Sequence, residues 1–311
     1  MIKKKVKIIV PIIIAIIILY LIYSRLDFNN FMNIIKNINV YYLILALIIN
    51  FLGCYVAAYR WGVLLENTGL RMKLHDLTVI MIVVYFFNCF LPGRLCEVYK
   101  CHLIKKNYNF SGSKTLGTIF VELFFDFTLL IILFFTYVII SYKEFIGYVY
   151  VSLILLLGIL IFLYLILKHK AWIISKLPIF LKGLLDNFEC GISNSIKLNN
   201  LHKVILSTIV RWSFIISSIY FVFLAFDLHL SFLSVIFIVV AMNLVAAIPI
   251  TPAAVGIAEL TIIGLLIYFG IVGDVAIAVS FIVRFINYWS ILIVGGIIYF
   301  IIWRGDKYVV C

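Results

Sequence analysis

A small set of charged residues lies within or beside apolar stretches long enough to sit in lipid. A charge at the centre of a membrane helix costs about 2.5–3.5 kcal/mol, so its presence there points to function by default. Arginine in such a place binds phosphate or pairs with a carboxylate, and an acid takes up a proton or a cation. The set consists of Arg60, Arg94, Glu97, Glu122, Asp126, Arg211, Glu259 and Arg284.

The first motif is a helix break at Pro92-Gly93, followed by Arg94 and Glu97. The half-helix after the break should begin inside the membrane, with its unpaired N–H groups and positive dipole end facing inward. Arg94 would add a guanidinium to that end, so an anion such as a lipid phosphate would bind there. Two roles stay open for Glu97, which are offsetting the helix dipole and coupling to the substrate or an ion.

A second break repeats this pattern at Pro249 and Pro252. The prolines leave carbonyls without intrahelical donors, and such backbone is tolerated in lipid only where it is buried in protein or lines a cavity. Glu259 follows this break as Glu97 follows the first. The predicted substrate-binding residues are therefore Pro92, Gly93, Arg94, Glu97, Pro249, Thr251, Pro252, Gly256, Glu259 and Arg284.

Glu122 and Asp126 are four residues apart, which places them on one face of a helix. Like charges there repel unless one is protonated or a cation lies between them. The partner expected for them is Arg284, in the corresponding helix of the second half of the chain. The competing interpretation is a purely structural buried ion pair.

Arg60 and Arg211 are each followed by tryptophan, at Trp61 and Trp212. Their positions towards the ends of apolar runs favour anchoring at the membrane interface. Arg60 is also a candidate member of the acid cluster with Glu122 and Asp126, as a coupling or ion-pair residue.

The elements that hold these residues follow from composition, because 66% of the 311 residues are hydrophobic and 12% are charged. Soluble domains have about 45–50% apolar and about 25% charged residues. This contrast excludes a soluble enzyme, a secreted disulfide scaffold and a disordered chain. Continuous apolar runs also argue against a membrane β-barrel. The prediction is an all-α polytopic membrane protein.

About six full spans are expected, each near the roughly 20 residues that cross a bilayer core. The basic N-terminus and the run after it predict a retained signal anchor. The other spans are predicted at 40–65, 115–140, 148–167, 204–226 and 276–303, and the broken segments 77–104 and 233–270 are predicted to be re-entrant helical hairpins.

The spans and hairpins form two similar units in opposite orientation, which is the inverted-repeat pattern of secondary transporters. A single transmembrane domain is therefore predicted over 1–311. Its parts are an anchor and connector (1–39), a first repeat (40–147), a connecting span and cytoplasmic linker (148–203), a second repeat (204–303) and a cytoplasmic tail (304–311).

The formal charge of +12 is explained by the orientation of the protein in the membrane and not by nucleic-acid binding. With the N-terminus inside, most lysines and arginines fall in cytoplasmic segments, and only Arg25, Lys36 and Lys143 fall outside. Both termini are thus expected in the cytoplasm, in the cell membrane. The polar segment 168–203 is open to two interpretations, which are an amphipathic surface helix and an ordinary linker.

No catalytic motif accompanies these features. The sequence has no HExxH, Walker A loop or nucleophile elbow, and its cysteines fit no common zinc spacing. The prediction is a protein without enzyme activity, cofactor or metal.

The runs 85–97 (YFFNCFLPGRLCE) and 248–259 (IPITPAAVGIAE), with Glu122, Asp126 and Arg284, resemble the lysylphosphatidylglycerol synthase transmembrane-region family, also called flippase-like or UPF0104. In larger members a domain of this kind is fused to an aminoacyl transferase and moves the aminoacylated phospholipid between leaflets. The chain differs from the usual pattern at Cys96, at Ala253-Ala254, where Gly-Gly is frequent, and at Leu123.

The combined expectation is a lipid translocase for an anionic or aminoacylated phospholipid or a polyprenyl-phosphate headgroup. The alternative is a non-transporting partner that presents a lipid-linked substrate to a separate glycosyltransferase or aminoacyltransferase. The expected partners are therefore a membrane lipid, a separate lipid-modifying enzyme and a second copy of the chain.

Overall fold

The computed structural model describes residues 2–24, 28–88, 96–141, 179–248 and 250–303. The regular secondary structure within these ranges is helical, and no strand occurs in them. The all-α prediction is confirmed.

Twelve α-helices are described. The N-terminal part contains α1 (Ile2–Tyr23), α2 (Phe28–Lys36), α3 (Val40–Asn67), α4 (Leu74–Asn88), α5 (Cys96–Tyr108) and α6 (Gly112–Ser141). The C-terminal part contains α7 (Ile179–Ser195), α8 (Leu198–Ala225), α9 (Phe232–Ala246), α10 (Ile257–Tyr268), α11 (Gly273–Arg284) and α12 (Ser290–Ile298). A 3₁₀ turn (Pro252–Ala254) precedes α10, and π-helical turns (Phe285–Trp289 and Tyr299–Trp303) flank α12.

Four of the helices are long and apolar enough to cross a membrane, namely α3, α6, α8 and the continuous helix Gly273–Ile301. Ile13–Tyr23 of α1 and Phe28–Lys36 (α2) form a fifth candidate only if taken together, and they are bent by 83° relative to each other. The predicted signal anchor is therefore not matched by a single straight span. The four long helices match the predicted spans at 40–65, 115–140, 204–226 and 276–303, and the polytopic prediction is confirmed. The predicted span at 148–167 lies outside the described residues.

The broken hairpins consist of shorter helices. Helices α4 and α9 each have 15 residues, which at about 1.5 Å per residue is roughly 22 Å and less than the thickness of a bilayer core. The first hairpin begins at Leu74, slightly earlier than the predicted residue 77, because the helix continues back to the end of the Gly69–Lys73 connection.

Helices α3 and α8 form an antiparallel pair at the centre of the molecule. The amide of Asn39, at the start of α3, donates to the carbonyl of Ala225, at the end of α8 (3.0 Å). At the opposite end, the Asn200 side chain donates to Asn67 (2.6 Å). In between, the Ser218 hydroxyl donates to a carbonyl of α3 (2.9 Å).

The first hairpin helix of each half packs against the last long helix of the other half. Helix α4 of the first half packs against α12 of the second, and α9 of the second half packs against α6 of the first. Helices α5 and α10 each pack against the last long helix of their own half. The equivalent helices of the two halves thus have equivalent neighbours, while the inverted repeat itself stays a prediction.

Glycine permits the close approach of α4 and α12. A Cβ atom at Gly295 would lie 2.6 Å from the Ile82 carbonyl, and one at Gly296 would touch the Phe86 ring. Small residues of this kind allow membrane helices to gain van der Waals contact between their backbones.

The polar segment that was open to two interpretations contains α7, which packs along α6. A Cβ at Gly117 of α6 would overlap the Phe188 carbonyl, and one at Gly191 of α7 would overlap the Lys114 carbonyl. The Asn67 amide ties the end of α7 to the end of α3 through the carbonyl of Ser195 (2.8 Å). The described part of this segment is therefore a packed helix and not only a linker.

Helix α1 packs against the second helix break. The Ile18 side chain would meet a Cβ at Gly256 at 2.9 Å, and the Ala15 carbonyl lies 3.5 Å from the same point. The predicted signal anchor thus covers part of the second hairpin.

The α6–α7 crossing predicts that Gly191→Ala destabilises the protein, by about 1–3 kcal/mol, because the added methyl overlaps the Lys114 carbonyl. Gly183→Ala in the same helix is the matched control, since nothing lies within 4 Å of a Cβ there. Thermal unfolding in detergent should show a lower midpoint for Gly191→Ala only. Equal midpoints for the two variants would contradict the crossing.

Candidate functional site

Asp126 of α6 accepts four hydrogen bonds inside the protein. Arg60 of α3 contributes two, from Nη1 (2.7 Å) and Nη2 (3.0 Å). Arg211 Nη1 (2.9 Å) and Trp212 Nε1 (2.9 Å), both on α8, contribute the others. A bidentate arginine supports the charge of a carboxylate better than any neutral donor set. Three helices are thus joined at one carboxylate.

Glu122, one turn earlier on α6, shares its two oxygens between two cations. Arg60 Nη2 lies 2.9 Å from Oε1, and Lys100 Nζ of α5 lies 3.4 Å from Oε2. Lys100 Nζ also lies 2.8 Å from Glu97 Oε2, and it lies 4.9 Å from the centre of the Trp61 ring. Lys100 therefore bridges the acid of the first hairpin to the acid of α6.

Arg284 has a different partner from the one predicted. Its Nε donates to Glu259 Oε1 (2.8 Å), and its Nη2 donates to the Ala253 carbonyl (3.1 Å). Its guanidinium also lies over the Tyr288 ring at 4.5 Å. The expected pairing with Glu122 and Asp126 is wrong, because Arg60 and Lys100 already neutralise those acids and Arg284 faces the break of its own hairpin.

Glu259 performs two tasks at once. Its Oε2 accepts from the Gly256 amide (2.8 Å), which caps the start of α10, while its Oε1 binds Arg284. Gly256 has a φ of +86°, a conformation that favours glycine. Ala253 and Ala254 also have positive φ, of 49° and 55°, which explains why glycine would be favoured at these two positions. For Glu97 the structure adds the Lys100 ion pair to the two roles left open.

The anchoring interpretation of Arg60 and Arg211 is also wrong. The Arg60 side chain is 0% exposed and the Arg211 side chain is 17% exposed, and both bind Asp126 inside the protein. Lys100, which the charge distribution predicts to lie in a cytoplasmic segment, is 1% exposed and buried among the acids. Its position three residues after Glu97, on the same helix face, was the signal that would have found it.

A cavity of about 280 Å³ lies next to these groups and is lined by both halves of the protein. Charged side chains of both signs face it, together with asparagine amides and apolar groups. The lining residues with charged, amide, hydroxyl or indole groups are Asn50, Tyr85, Asn88, Glu97, Lys100, Glu122, Asp126, Arg211, Trp212, Asn243, Arg284, Asn287 and Tyr288. Arg60 is not among the lining residues, because it lies behind the acids that it neutralises.

The remaining predicted site residues divide into two groups. Thr251, Pro252, Gly256 and Glu259 form the second break, which Arg284 connects to the cavity. The Thr251 hydroxyl is buried there and has no hydrogen-bond partner among the described residues. Pro92, Gly93, Arg94 and Pro249 lie outside the described residues.

Helices from both halves of the chain surround a charge-paired cavity, so the fold and the site define a polytopic membrane protein with a polar site among its helices. The family model described as "lysylphosphatidylglycerol synthase TM region" matches residues 8–295, and the chain belongs to this family.

Archaeal relatives support this assignment. A UPF0104 membrane protein of Methanocaldococcus jannaschii is 36% identical over 227 residues, which cover 71% of this chain and 95% of the relative. A second UPF0104 membrane protein of that organism is 24% identical, with 94% of each chain covered. One from Pyrococcus horikoshii is 22% identical, with 84% of this chain and 87% of the relative covered.

The two arginines at Asp126 should differ sharply when removed. Arg60→Ala leaves two buried acids short of their main partner and should cost about 3–5 kcal/mol of stability. Arg211→Ala leaves Asp126 with both Arg60 bonds and the Trp212 bond, so its cost should be less than half as large. Unfolding in detergent measures both.

Arg71→Ala is the matched control for this pair, because the Arg71 side chain is 88% exposed and meets only Glu66. Its effect should stay within about 0.5 kcal/mol. Equal losses for Arg60→Ala and Arg211→Ala would contradict the division of roles between the two arginines.

Proposed function

We propose that this protein is a lipid translocase that moves the headgroup of an anionic phospholipid or polyprenyl phosphate between the two leaflets of the membrane. The observation that carries the proposal is the charged cavity between the inverted halves. It offers cations from α5, α8 and α11 in a chain that is otherwise mostly apolar. A polar group inside a membrane protein marks the path or site of a polar substrate by default.

The cations of the cavity differ in how firmly they are held. Arg211 contacts the acids through a single Nη1 bond, and it lies over its neighbour Trp212 at 5.4 Å. Since Arg60 keeps Asp126 neutralised, Arg211 can turn to a phosphate without leaving a bare carboxylate. Arg284 also lines the cavity, with only part of its guanidinium engaged by Glu259 and Ala253. These two arginines are the proposed phosphate ligands.

The cavity volume suits a headgroup and not a whole lipid. Sites for drug-sized ligands have volumes of roughly 300–1,000 Å³, and this cavity, at about 280 Å³, is slightly smaller than that range. The acyl or prenyl chains would therefore stay in the bilayer while the headgroup crosses between the halves. Exchange of the opening between the two inverted halves would give access from each side in turn.

Arg94 and the two half-helix N-termini remain part of the proposal from the sequence. The N-terminus of α10 is occupied by Glu259, so a phosphate would bind there only after displacing that carboxylate. Arg211 and Arg284 are therefore the stronger choice for a first experiment.

Reconstitution into vesicles with a fluorescent anionic phospholipid tests the proposal. The wild-type protein should equilibrate the lipid between leaflets, and Arg211→Ala combined with Arg284→Ala should reduce the rate at least about tenfold, since two charge-assisted contacts to the phosphate are lost. Arg71→Ala is the control and should keep the full rate. A double variant as active as the wild type, with its fold intact, would refute the assignment.

We also propose that the protein lies in the cell membrane with both termini in the cytoplasm. The Gly69–Lys73 connection would then be inside, and the connection between α8 and α9, at the opposite end of the α3–α8 pair, would be outside.

Thiol labelling in intact cells tests this orientation in a variant without native cysteines. His229→Cys should react with an impermeant reagent in intact cells, because its side chain is 77% exposed on the outer connection. Lys73→Cys should react only after permeabilisation. The reverse pattern would invert the proposed topology.

A further inference from the structure

Helix α2 separates apolar from polar residues along its length. The apolar residues of one face have the i, i+3, i+4, i+7 spacing of an amphipathic helix, and they are Phe28, Phe31, Met32 and Ile35. The polar residues of the opposite face are Asn29, Asn33 and Lys36. At about 1.5 Å per residue α2 is roughly 14 Å long, so it is too short to cross a bilayer core.

Two contacts attach α2 to α11. Asn30 Nδ2 donates to Asp274 Oδ2 in the first turn of α11 (2.7 Å). The Phe31 ring meets the Phe281 ring edge to face, with 6.0 Å between the ring centres. Asp274 and Phe281 are about 10 Å apart along their helix, whereas Asn30 and Phe31 are neighbours in the chain. Helix α2 therefore crosses α11 and does not run along it.

The neighbours of α2 show where it lies along the bundle. Helix α2 is bent by 83° from the Ile13–Tyr23 part of α1, and α3 begins shortly after α2 ends. Both α3 and the continuous helix Gly273–Ile301 are long and apolar enough to cross a membrane, and both begin beside α2. Helix α2 thus lies across the ends of two spans, where a spanning helix leaves the hydrocarbon core.

Exposed tyrosines lie at the same end of the bundle. Tyr41 is in the first turn of α3 and is 84% exposed. Tyr268 ends α10 just before α11 begins, and Tyr20 is in the last turn of α1; both are exposed. Tyrosine is enriched at the boundary between membrane and water. The surroundings of α2 therefore have the side chains of a membrane surface.

The contacts with α11 leave part of the apolar face of α2 uncovered. Phe28 is 69% exposed, and Met32, one turn later, is also exposed. A stable protein interface needs about 800 Å² from each partner, and an aromatic side chain buries at most about 250 Å². Two side chains are too small a surface for a second copy of the chain. An amphipathic helix that lies in the membrane surface needs no larger one.

We propose that α2 is a membrane-surface helix whose partner is the boundary between lipid headgroups and acyl chains. Phe28 and Met32 insert among the acyl chains, and Asn33 and Lys36 face the water. Because Lys36 is the one charged residue of α2, the insertion depends on apolar contact and needs no anionic lipid. The proposal goes beyond lipid translocation and holds for either orientation of the protein.

Spin labelling of the full-length protein in phosphatidylcholine vesicles tests the proposal. Met32→Cys and Asn33→Cys, each in a variant without native cysteines, receive a nitroxide whose relaxation by oxygen and by a water-soluble nickel chelate reports its depth. The label at position 32 should lie about 5–10 Å below the headgroups and respond mainly to oxygen. The label at position 33, on the polar face, should respond mainly to the nickel chelate.

Two reference positions calibrate the measurement. Leu52→Cys lies on an exposed part of the spanning helix α3 and represents the hydrocarbon core, and His229→Cys on the connection between α8 and α9 represents water. In a further pair of variants that carry the label at position 32, Phe28→Asp should move the label towards water, because it places a carboxylate among the acyl chains. Asn33→Asp is the matched control and should leave the depth unchanged, since it adds the same charge on the polar face.

Three results would overturn the surface helix. One is a label at position 32 that responds like the label at 229, and another is a pair of labels at 32 and 33 that both respond like the label at 52. The third is an unchanged depth in Phe28→Asp. Dipolar broadening between labels at position 32 of two copies would also overturn it, because it would identify a protein contact on this face. The vesicle exchange of fluorescent lipid measures the translocase separately, so either proposal can fail without the other.

Discussion

The neutralisation of two carboxylates inside an apolar bundle is the constraint on which the structure depends. Glu122 and Asp126 lie one turn apart on α6, 5% and 9% exposed, and neither could stay charged in such surroundings without a cation. Arg60 binds both of them from α3. Helix α3 therefore packs against α6 in the register that places the Arg60 guanidinium between the two acids.

The two halves solve the same electrostatic problem in different ways. In the second half, the acid of the hairpin, Glu259, meets a base on the last long helix, Arg284. In the first half, the corresponding helix carries an acid, Glu122, so hairpin and helix would repel each other. Lys100 lies between them and binds both acids. The hairpin acids Glu97 and Glu259 occupy equivalent positions in the two halves. The cations that neutralise them, Lys100 and Arg284, occupy non-equivalent positions.

Composition and breaks were sufficient to predict the helical class, four of the spans and the shorter helices beside the two breaks, because each depends on local apolar length and on proline or glycine. The grouping of Glu122, Asp126 and Arg60 was also a candidate from the sequence. The pairing of Arg284 with Glu259 could not be predicted in this way, because the two residues are 25 positions apart and lie on different helices. Spacing within one helix cannot show which of several buried bases a buried acid will meet.

What the sequence alone determined is that this chain is an all-α polytopic membrane protein and that a few charges within it require partners. Those properties follow from the cost of placing charges and broken backbone in lipid, which every residue bears independently of its distant neighbours. Only the tertiary structure decided the pairing, burying Lys100 and turning Arg211 and several asparagines towards one cavity. Pairing depends on the crossing of α3, α5, α6 and α8, and such crossings are fixed by close packing between helices and not by any one of them.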